Sequence, residues 1–283
     1  MIIRFDLRNS YTSSDSYAAS CGTDGPFTGA CAYLGNPLFF KEHCVHKVYG
    51  SYPAVFRIQD TACRGVQAGC HKSLAIVDET LFYRARSGIC AYEGALPVDV
   101  SQALGEQPCV AAAGGALGGK YYISLEHPQD GWQLFVFDTA RKLWHREDEL
   151  RAEGFCALEG ELYCIDGKSR NIITMGGSGE QDSEPVRWMV QTGPIDLRSA
   201  DRKYLSGLDL RLQPEAGSKT EIHVCYDSGS WEHLCTIHSD RLRSINVPIR
   251  PRRCEHMQLR IEGEGMVKIH AMVQKWQRGS DCA

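Results

Sequence analysis

No run of 18 apolar residues occurs in this 283-residue chain, so the sequence offers no membrane-spanning helix. The opening Met1-Ile2-Ile3-Arg4-Phe5-Asp6 lacks the apolar core of a signal peptide. The chain is therefore expected to be made in a cytoplasm and not exported by a cleaved leader. Among 13 cysteines there is no Cys-x-x-Cys pair, and their number is odd. That excludes the common zinc and dithiol spacings, and favours reduced thiols acting as small buried hydrophobes. Helical periodicity longer than about two turns is missing throughout. Charge of one sign is also missing: the formal net charge is −4, which marks neither a polyanion binder nor an acidic tail. Residues 1–195 carry 17 Lys+Arg against 23 Asp+Glu, which leaves 14 against 12 for residues 196–283.

What is present is a repeat. A tight turn followed by an aromatic strand recurs at Pro37-Leu38-Phe39-Phe40, Thr80-Leu81-Phe82-Tyr83, Lys120-Tyr121-Tyr122-Ile123 and Glu161-Leu162-Tyr163-Cys164. The steps from Leu38 to Leu81, Tyr121 and Leu162 are 43, 40 and 41 residues. A second apolar strand follows each, as in Ile89-Cys90-Ala91-Tyr92 and Leu134-Phe135-Val136-Phe137. A repeat of this length built only from short strands is the signature of a β-propeller blade, and one blade cannot bury its own faces. After Ile195 the pattern becomes clean alternation. Leu208, Leu210 and Leu212 form one set, and Ile222, Val224 and Tyr226 a second. Ile245, Val247 and Ile249 make a third, Met257, Leu259 and Ile261 a fourth, and Val267, Ile269, Ala271 and Val273 the last. Period-two strands at short spacing read as a sandwich or jelly roll.

The expected architecture is all-β. A poorly specified leader (1–20) precedes a β-propeller of about four blades, closed or incomplete, at 21–195, and a β-sandwich or jelly-roll-like domain follows at 196–283. The strand Val186–Thr192 either completes the ring or leaves it, and Gly176-Gly177-Ser178-Gly179 reads as a flexible loop.

Few motifs carry chemistry. Gly114-Gly115-Ala116-Leu117-Gly118-Gly119-Lys120 fits the frame of a phosphate loop, but Tyr121 stands where Ser or Thr must hold magnesium, and the match runs into a strand. It reads as a turn. His43-Cys44-Val45-His46 and Cys70-His71 suggest metal only weakly, because adjacent residues of a strand point to opposite faces. No Gly-x-Ser-x-Gly elbow exists. Asp130, Asp138, Asp166 and Asp227 sit at turns, where aspartate is common for local reasons. Asp227-Ser228-Gly229-Ser230-Trp231 resembles an aspartate box in part but is one residue short, and reads better as a hairpin. Arg241, Arg243, Arg250, Arg252 and Arg253 crowd a stretch with no acid. They are either a solvated strand edge or a contact for phosphate or an acidic subunit.

A wider resemblance rests on Gly22-Thr23-Asp24-Gly25-Pro26-Phe27-Thr28-Gly29, Tyr33-Leu34-Gly35-Asn36-Pro37-Leu38-Phe39-Phe40-Lys41-Glu42, His46-Lys47-Val48-Tyr49-Gly50, Thr61-Ala62-Cys63-Arg64-Gly65-Val66-Gln67 and Val247-Pro248-Ile249-Arg250-Pro251-Arg252-Arg253-Cys254. From about residue 15 onward, these segments resemble a family of virion proteins of phages and prophages of gut Firmicutes. By fold that family looks like propeller tail-hub and neck proteins. The resemblance implies an N-terminally shortened copy, since members carry further blades ahead of the first one here. It also implies a non-enzymatic structural component of a phage tail or neck, located in the virion. Its partners would be other virion subunits in a homo-oligomeric ring, with DNA contact a lesser option. No catalytic residue, metal or cofactor is expected. The alternative is a carbohydrate-binding or glycoside-cleaving propeller in host-surface recognition. It predicts exposed aromatics such as Trp132, Trp144 or Trp188 beside a convergent carboxylate pair.

Overall fold

The computed structural model describes residues 2–4, 16–18, 21–51, 55–175, 187–197, 202–238 and 241–278. Most of the expected leader and the glycine loop at 176–179 lie outside the described residues. No α-helix occurs among those described, and none is therefore long and apolar enough to cross a membrane. The chain divides into two compact units, Met1–Gly179 and Glu180–Ala283.

The first unit opens with β1 (Ile2–Arg4) paired to β2 (Ser16–Ala18). Four antiparallel sheets follow in chain order, each built by local hairpins. The first holds β3 (Gly29–Tyr33), β4 (Asn36–Phe40), β5 (Cys44–Tyr49) and β6 (Arg57–Ala62). The second holds β7 (Ala75–Val77), β8 (Thr80–Ala85), β9 (Gly88–Tyr92) and β10 (Val98–Asp99). The third holds β11 (Ala112–Leu117), β12 (Lys120–His127), β13 (Gly131–Asp138) and β14 (Leu143–Arg146). The fourth holds β15 (Ala152–Leu158), β16 (Glu161–Asp166) and β17 (Ile172–Met175).

The recurring turns share one geometry. Leu34-Gly35, Asp78-Glu79, Gly118-Gly119 and Glu159-Gly160 each put two consecutive residues at positive φ between hairpin strands, at 47° and 72°, 44° and 67°, 56° and 71°, and 52° and 84°. That is the two-residue loop whose twist matches the strands it joins. The glycine frame at 114–120 is thus a hairpin, with Gly118-Gly119 at its tip. Gly114 and Gly115 lie inside β11 because neighbours approach closely. A Cβ on Gly114 would sit 2.5 Å from the Ser73 carbonyl oxygen, and one on Gly115 2.5 Å from Phe155 Cβ.

Repeat positions share one fate. Leu38, Leu81, Tyr121 and Leu162 are all 1% exposed or less, as are Phe40, Tyr83, Ile123 and Cys164. The third sheet is buried on both faces. Tyr121, Ile123, Leu125, Phe135 and Phe137 join the core shared with the first two sheets, while Tyr122, Leu134 and Val136 pack with Leu162, Cys164 and Met175 of the fourth. Such a sheet reads as continuous apolar runs. Tyrosine hydroxyls stitch sheet to sheet: Tyr33 donates to the Glu79 carbonyl at 2.6 Å, Tyr83 to Arg64 at 2.6 Å and Tyr121 to Ser73 at 2.7 Å.

The second unit has two sheets. One runs β18 (Arg187–Gln191), β23 (Met257–Glu264), β20 (Lys219–Tyr226), β21 (Trp231–His238). The other runs β22 (Arg243–Val247), β19 (Lys203–Pro214), β24 (Val267–Arg278). Their apolar faces share one core of Leu208, Leu210, Leu212, Ile222, Val224, Met257, Leu259 and Ile261. Because β18 pairs with β23, the boundary expected near residue 196 moves back to 179/180. The single apolar face expected along Val267, Ile269, Ala271 and Val273 is also corrected. A register shift places Ala271 opposite Arg211 and Ile269 opposite Leu212, so the strand changes phase there and Val273 is exposed.

Candidate functional site

Alternation along β20 sends Thr220, Ile222 and Val224 into the core, which leaves Lys219, Glu221 and His223 on the opposite face. On β23 the same rule leaves Arg260, Glu262 and Glu264. Register then builds rows across the sheet. Arg187 lies opposite Glu264, which lies opposite Lys219. Met189, Glu262, Glu221 and Thr236 form the next row, and Gln191, Arg260, His223 and His233 the third. Glu221 and Glu262 are therefore directly cross-strand, an arrangement of like charges that disfavours pairing unless something compensates it.

Compensation is partial. Lys219 forms an ion pair with Glu221 Oε1, and this contact holds the Glu221 carboxyl below its ordinary range. Arg187 Nε pairs with Glu264 Oε1 at 2.8 Å. The remaining oxygens close on one imidazole. His223 Nε2 lies 3.2 Å from Glu262 Oε1 and 3.6 Å from Glu221 Oε2, is shut off from solvent, and reaches no partner in hydrogen-bonding geometry. One ligand atom from each of Glu221, His223 and Glu262 lies within 4.8 Å of the others. The two carboxylates line a cleft of about 540 Å³ together with Arg187, Trp188, Met189, Lys219, Gly263 and Glu264. Gly263 admits the close approach: a Cβ there would meet the Lys219 carbonyl oxygen at 2.1 Å and Trp188 Cζ2 at 2.9 Å. Trp188 is pinned by a bond from its indole nitrogen to the Gly265 carbonyl at 2.8 Å. Nearby, the Arg260 guanidinium lies 4.1 Å from the Trp231 ring centroid and donates to Gln191.

The residues singled out by sequence behave differently. The five arginines fall on either side of one strand. Arg241 and Arg243 precede or open β22, while Arg250, Arg252 and Arg253 follow its end. Arg252 is engaged with Glu232 at 2.9 Å and stands over the Tyr226 ring. The four turn aspartates are satisfied locally. Asp130 meets His127, Asp138 meets Arg141, Asp166 accepts from Lys168 and Ser169, and Asp227 accepts from the Glu255 and His256 amides. Asp227-Ser228, both at positive φ, form the hairpin between β20 and β21. His46 and Cys44, two apart on β5, do converge, with Nε2 and Sγ 3.4 Å apart, but Thr23 Oγ1 occupies the same nitrogen at 3.0 Å. Burial lowers the His46 pKa and pushes the Cys31, Cys63, Cys90 and Cys164 thiols up to about 11. Every cysteine among the described residues is a free thiol. Of the tryptophans, Trp144 donates to the Val100 carbonyl and packs on Phe137, and Trp132 lies under Arg151.

Neither a family model nor a curated protein matches the chain. Solved structures do. An exo-β-1,3-galactanase from Phanerochaete chrysosporium is 8% identical, covers 85% of this chain and 78% of its own, and has a TM-score of 0.28. A glycoside hydrolase family 43 arabinoxylan arabinofuranohydrolase from Bacillus subtilis is 9% identical, with coverage of 88% and 78% and a TM-score of 0.23. A Bacillus thuringiensis Cry1Da tryptic core variant follows at 10% identity, 89% and 50% coverage, and a TM-score of 0.20. These likenesses assign no substrate or residue role here. The expectation of a non-enzymatic tail or neck scaffold, and with it the expectation of no enzyme, is set aside: the first two neighbours are described as carbohydrate-cleaving enzymes rather than virion proteins, and likeness at this level shows no role for this chain. Glu221 and Glu262 converge on the cleft, whereas the Trp188 side chain, opposite Gly263, packs against the core of the second unit.

Sequence reasoning missed this site. Lys219, Glu221 and His223 alternate with an apolar stripe, and so do Arg260, Glu262 and Glu264. The signal was thus two strands whose polar faces are wholly ionisable. What the sequence did not contain was that the two strands are neighbours.

Proposed function

We propose that the chain is a carbohydrate-active protein that seats a saccharide in the cleft of Glu221, Glu262, Arg187 and Lys219. The observation that carries this reading is the convergence of two carboxylates and two cations on one concave face. Carboxylates accept from vicinal hydroxyls and Arg187 and Lys219 donate to ring and hydroxyl oxygens, all as charge-assisted bonds. Their separation also bears on cleavage. Retaining glycosidases hold their carboxyls about 5–5.5 Å apart and inverting ones about 6.5–9.5 Å. With oxygens within 4.8 Å, this pair fits retention. We read the four repeat sheets as blades of a partial propeller and the second unit as a β-sandwich. The resemblance to virion proteins supplies the setting, which makes a saccharide of the host-cell surface the target.

A glycan array of bacterial surface polysaccharides, probed with the full chain, tests the reading, with reducing-end release measured on any hit. Binding that weakens at least tenfold in both Glu221→Gln and Glu262→Gln supports it. An array blank for folded protein, or binding that neither variant changes, overturns it.

A further inference from the structure

Independently of any saccharide, we propose that Glu221, His223 and Glu262 form a binding site for a divalent transition-metal cation of the zinc class, with His233 able to complete the shell. Zinc bonds of about 2.0–2.1 Å in tetrahedral array place ligand atoms about 3.4 Å from one another. The observed separations from His223 Nε2, 3.2 Å to Glu262 Oε1 and 3.6 Å to Glu221 Oε2, bracket that value. The pair therefore needs little movement to receive an ion.

Three further observations point to a cation here. His223 Nε2 is a buried nitrogen with no hydrogen-bond partner, although it is aimed between two carboxylates. A metal ion would satisfy it as a neutral imidazole. The cleft carries Glu221, Glu262 and Glu264 against Arg187 and Lys219, so its lining carboxylates outnumber its lining cations by one, while Arg260, across from His223, bonds Gln191 and lies over the Trp231 ring. Lys219 engages only Oε1 of Glu221, while Oε2 turns toward His223. Lysine thus orients the carboxylate as an outer partner and leaves one oxygen for the ion.

The fourth position follows from register. His233 lies directly across from His223, with ring centroids 5.2 Å apart, and its Nε2 bonds Thr236 Oγ1 at 2.9 Å. Exchanging that hydroxyl for a metal is a side-chain rotation on an edge strand. Imidazole with carboxylate suits zinc and its neighbours in the series, whereas calcium and magnesium take oxygen shells. An ion held by three or four such ligands would occupy the oxygens that glycoside cleavage requires, so zinc should inhibit any cleavage at this cleft.

The test uses the full chain, freed of metal with chelator and titrated with zinc chloride alone by calorimetry. Cobalt spectra report the geometry. Because 13 cysteines add background sites, the readout is the difference between wild type and the variants. One site that weakens roughly a hundredfold in both His223→Gln and Glu262→Gln, and less in His233→Gln, supports the proposal. Circular dichroism confirms that each variant is folded. Equal zinc binding by wild type, His223→Gln and Glu262→Gln overturns it, as does a cobalt spectrum unchanged by either substitution. Zinc binding and saccharide binding are read separately, so a blank glycan array leaves this result standing, and the reverse also holds.

Discussion

Tyr121→Phe deletes one oxygen from the interior of the first unit, and its cost can be worked out from the contacts. The ring is fully buried, stacks on Phe82 with centroids 5.2 Å apart, and its hydroxyl donates to the Ser73 carbonyl at 2.7 Å. Burial holds the phenol well above its ordinary pKa, so it stays a neutral donor. Ser73 belongs to the link leading into β7, and Tyr121 to β12, so the bond joins two sheets that no backbone ladder connects beyond the Lys72–Ala113 bridge. Phenylalanine keeps the ring and leaves the carbonyl buried without its donor, which costs about 1–3 kcal/mol. For a unit of this size each kcal/mol lowers Tm by about 2–4 °C, so the expected drop is about 2–12 °C by calorimetry. The comparator is Tyr163→Phe, whose hydroxyl bonds the nearby Glu161 carboxylate at the surface and should change stability by about 0.5 kcal/mol or less. Hydrogen exchange gives a local readout. The Gly114 amide, bonded to the Lys72 carbonyl at 2.9 Å, should exchange about tenfold faster for each 1.4 kcal/mol lost. If Tyr121→Phe is no more costly than Tyr163→Phe, the claim that tyrosine hydroxyls lock successive sheets is refuted.

Gly114→Ala drives a methyl to 2.5 Å from the same Ser73 oxygen and 3.0 Å from the Tyr121 hydroxyl. It should cost about 1–3 kcal/mol. Combined with Tyr121→Phe it should cost less than the sum, because both act on one contact; a double-mutant cycle by urea unfolding decides. Asp166 accepts from Ser169 Oγ and the Lys168 and Ser169 amides, which hold its carboxyl at about 2. A folded pKa below the unfolded value of about 3.9 gives stability that is present above pH ~4 and lost as the pH falls toward 2. The Tm gap between wild type and Asp166→Asn should therefore close over that window, and an NMR titration midpoint near 3.9 would contradict the assignment.

The first unit was legible because its information is local. A two-residue hairpin loop and the strand after it fall within about ten residues, so the spacing of Leu38, Leu81, Tyr121 and Leu162 located buried positions without knowledge of any long-range contact. Each turn has a Gly or Asp at one of its two positive-φ positions, although Leu34, Glu79 and Glu159 also take positive φ, and the Glu79 carbonyl is held by Tyr33. The second unit was legible only within strands. Alternation identified Leu208–Leu212 and Met257–Ile261 as core faces, but β18 joins β23 across about 70 residues, and the register shift in β24 leaves no mark in the residues. Nothing local distinguishes a strand that closes one unit from a strand that opens the next.

The cleft shows where that limit bears on function. Glu221 and Glu262 are 41 positions apart, and each alone is an ordinary outward carboxylate on an amphipathic strand. The arginine cluster had the opposite character: it is dense in sequence but spread along and beyond one strand, β22. Density along the chain measures proximity only where the backbone turns back at once, and an extended strand carries successive charges apart. In antiparallel sheets the residues able to share a ligand are those opposite one another across a ladder, with side chains about 5 Å apart whatever their separation in sequence. The unfavourable row of Glu221 against Glu262 is therefore the informative feature of this surface. Two carboxylates held face to face around a buried imidazole are a local cost, and a bound hydroxyl-rich ligand or a cation is what would offset it.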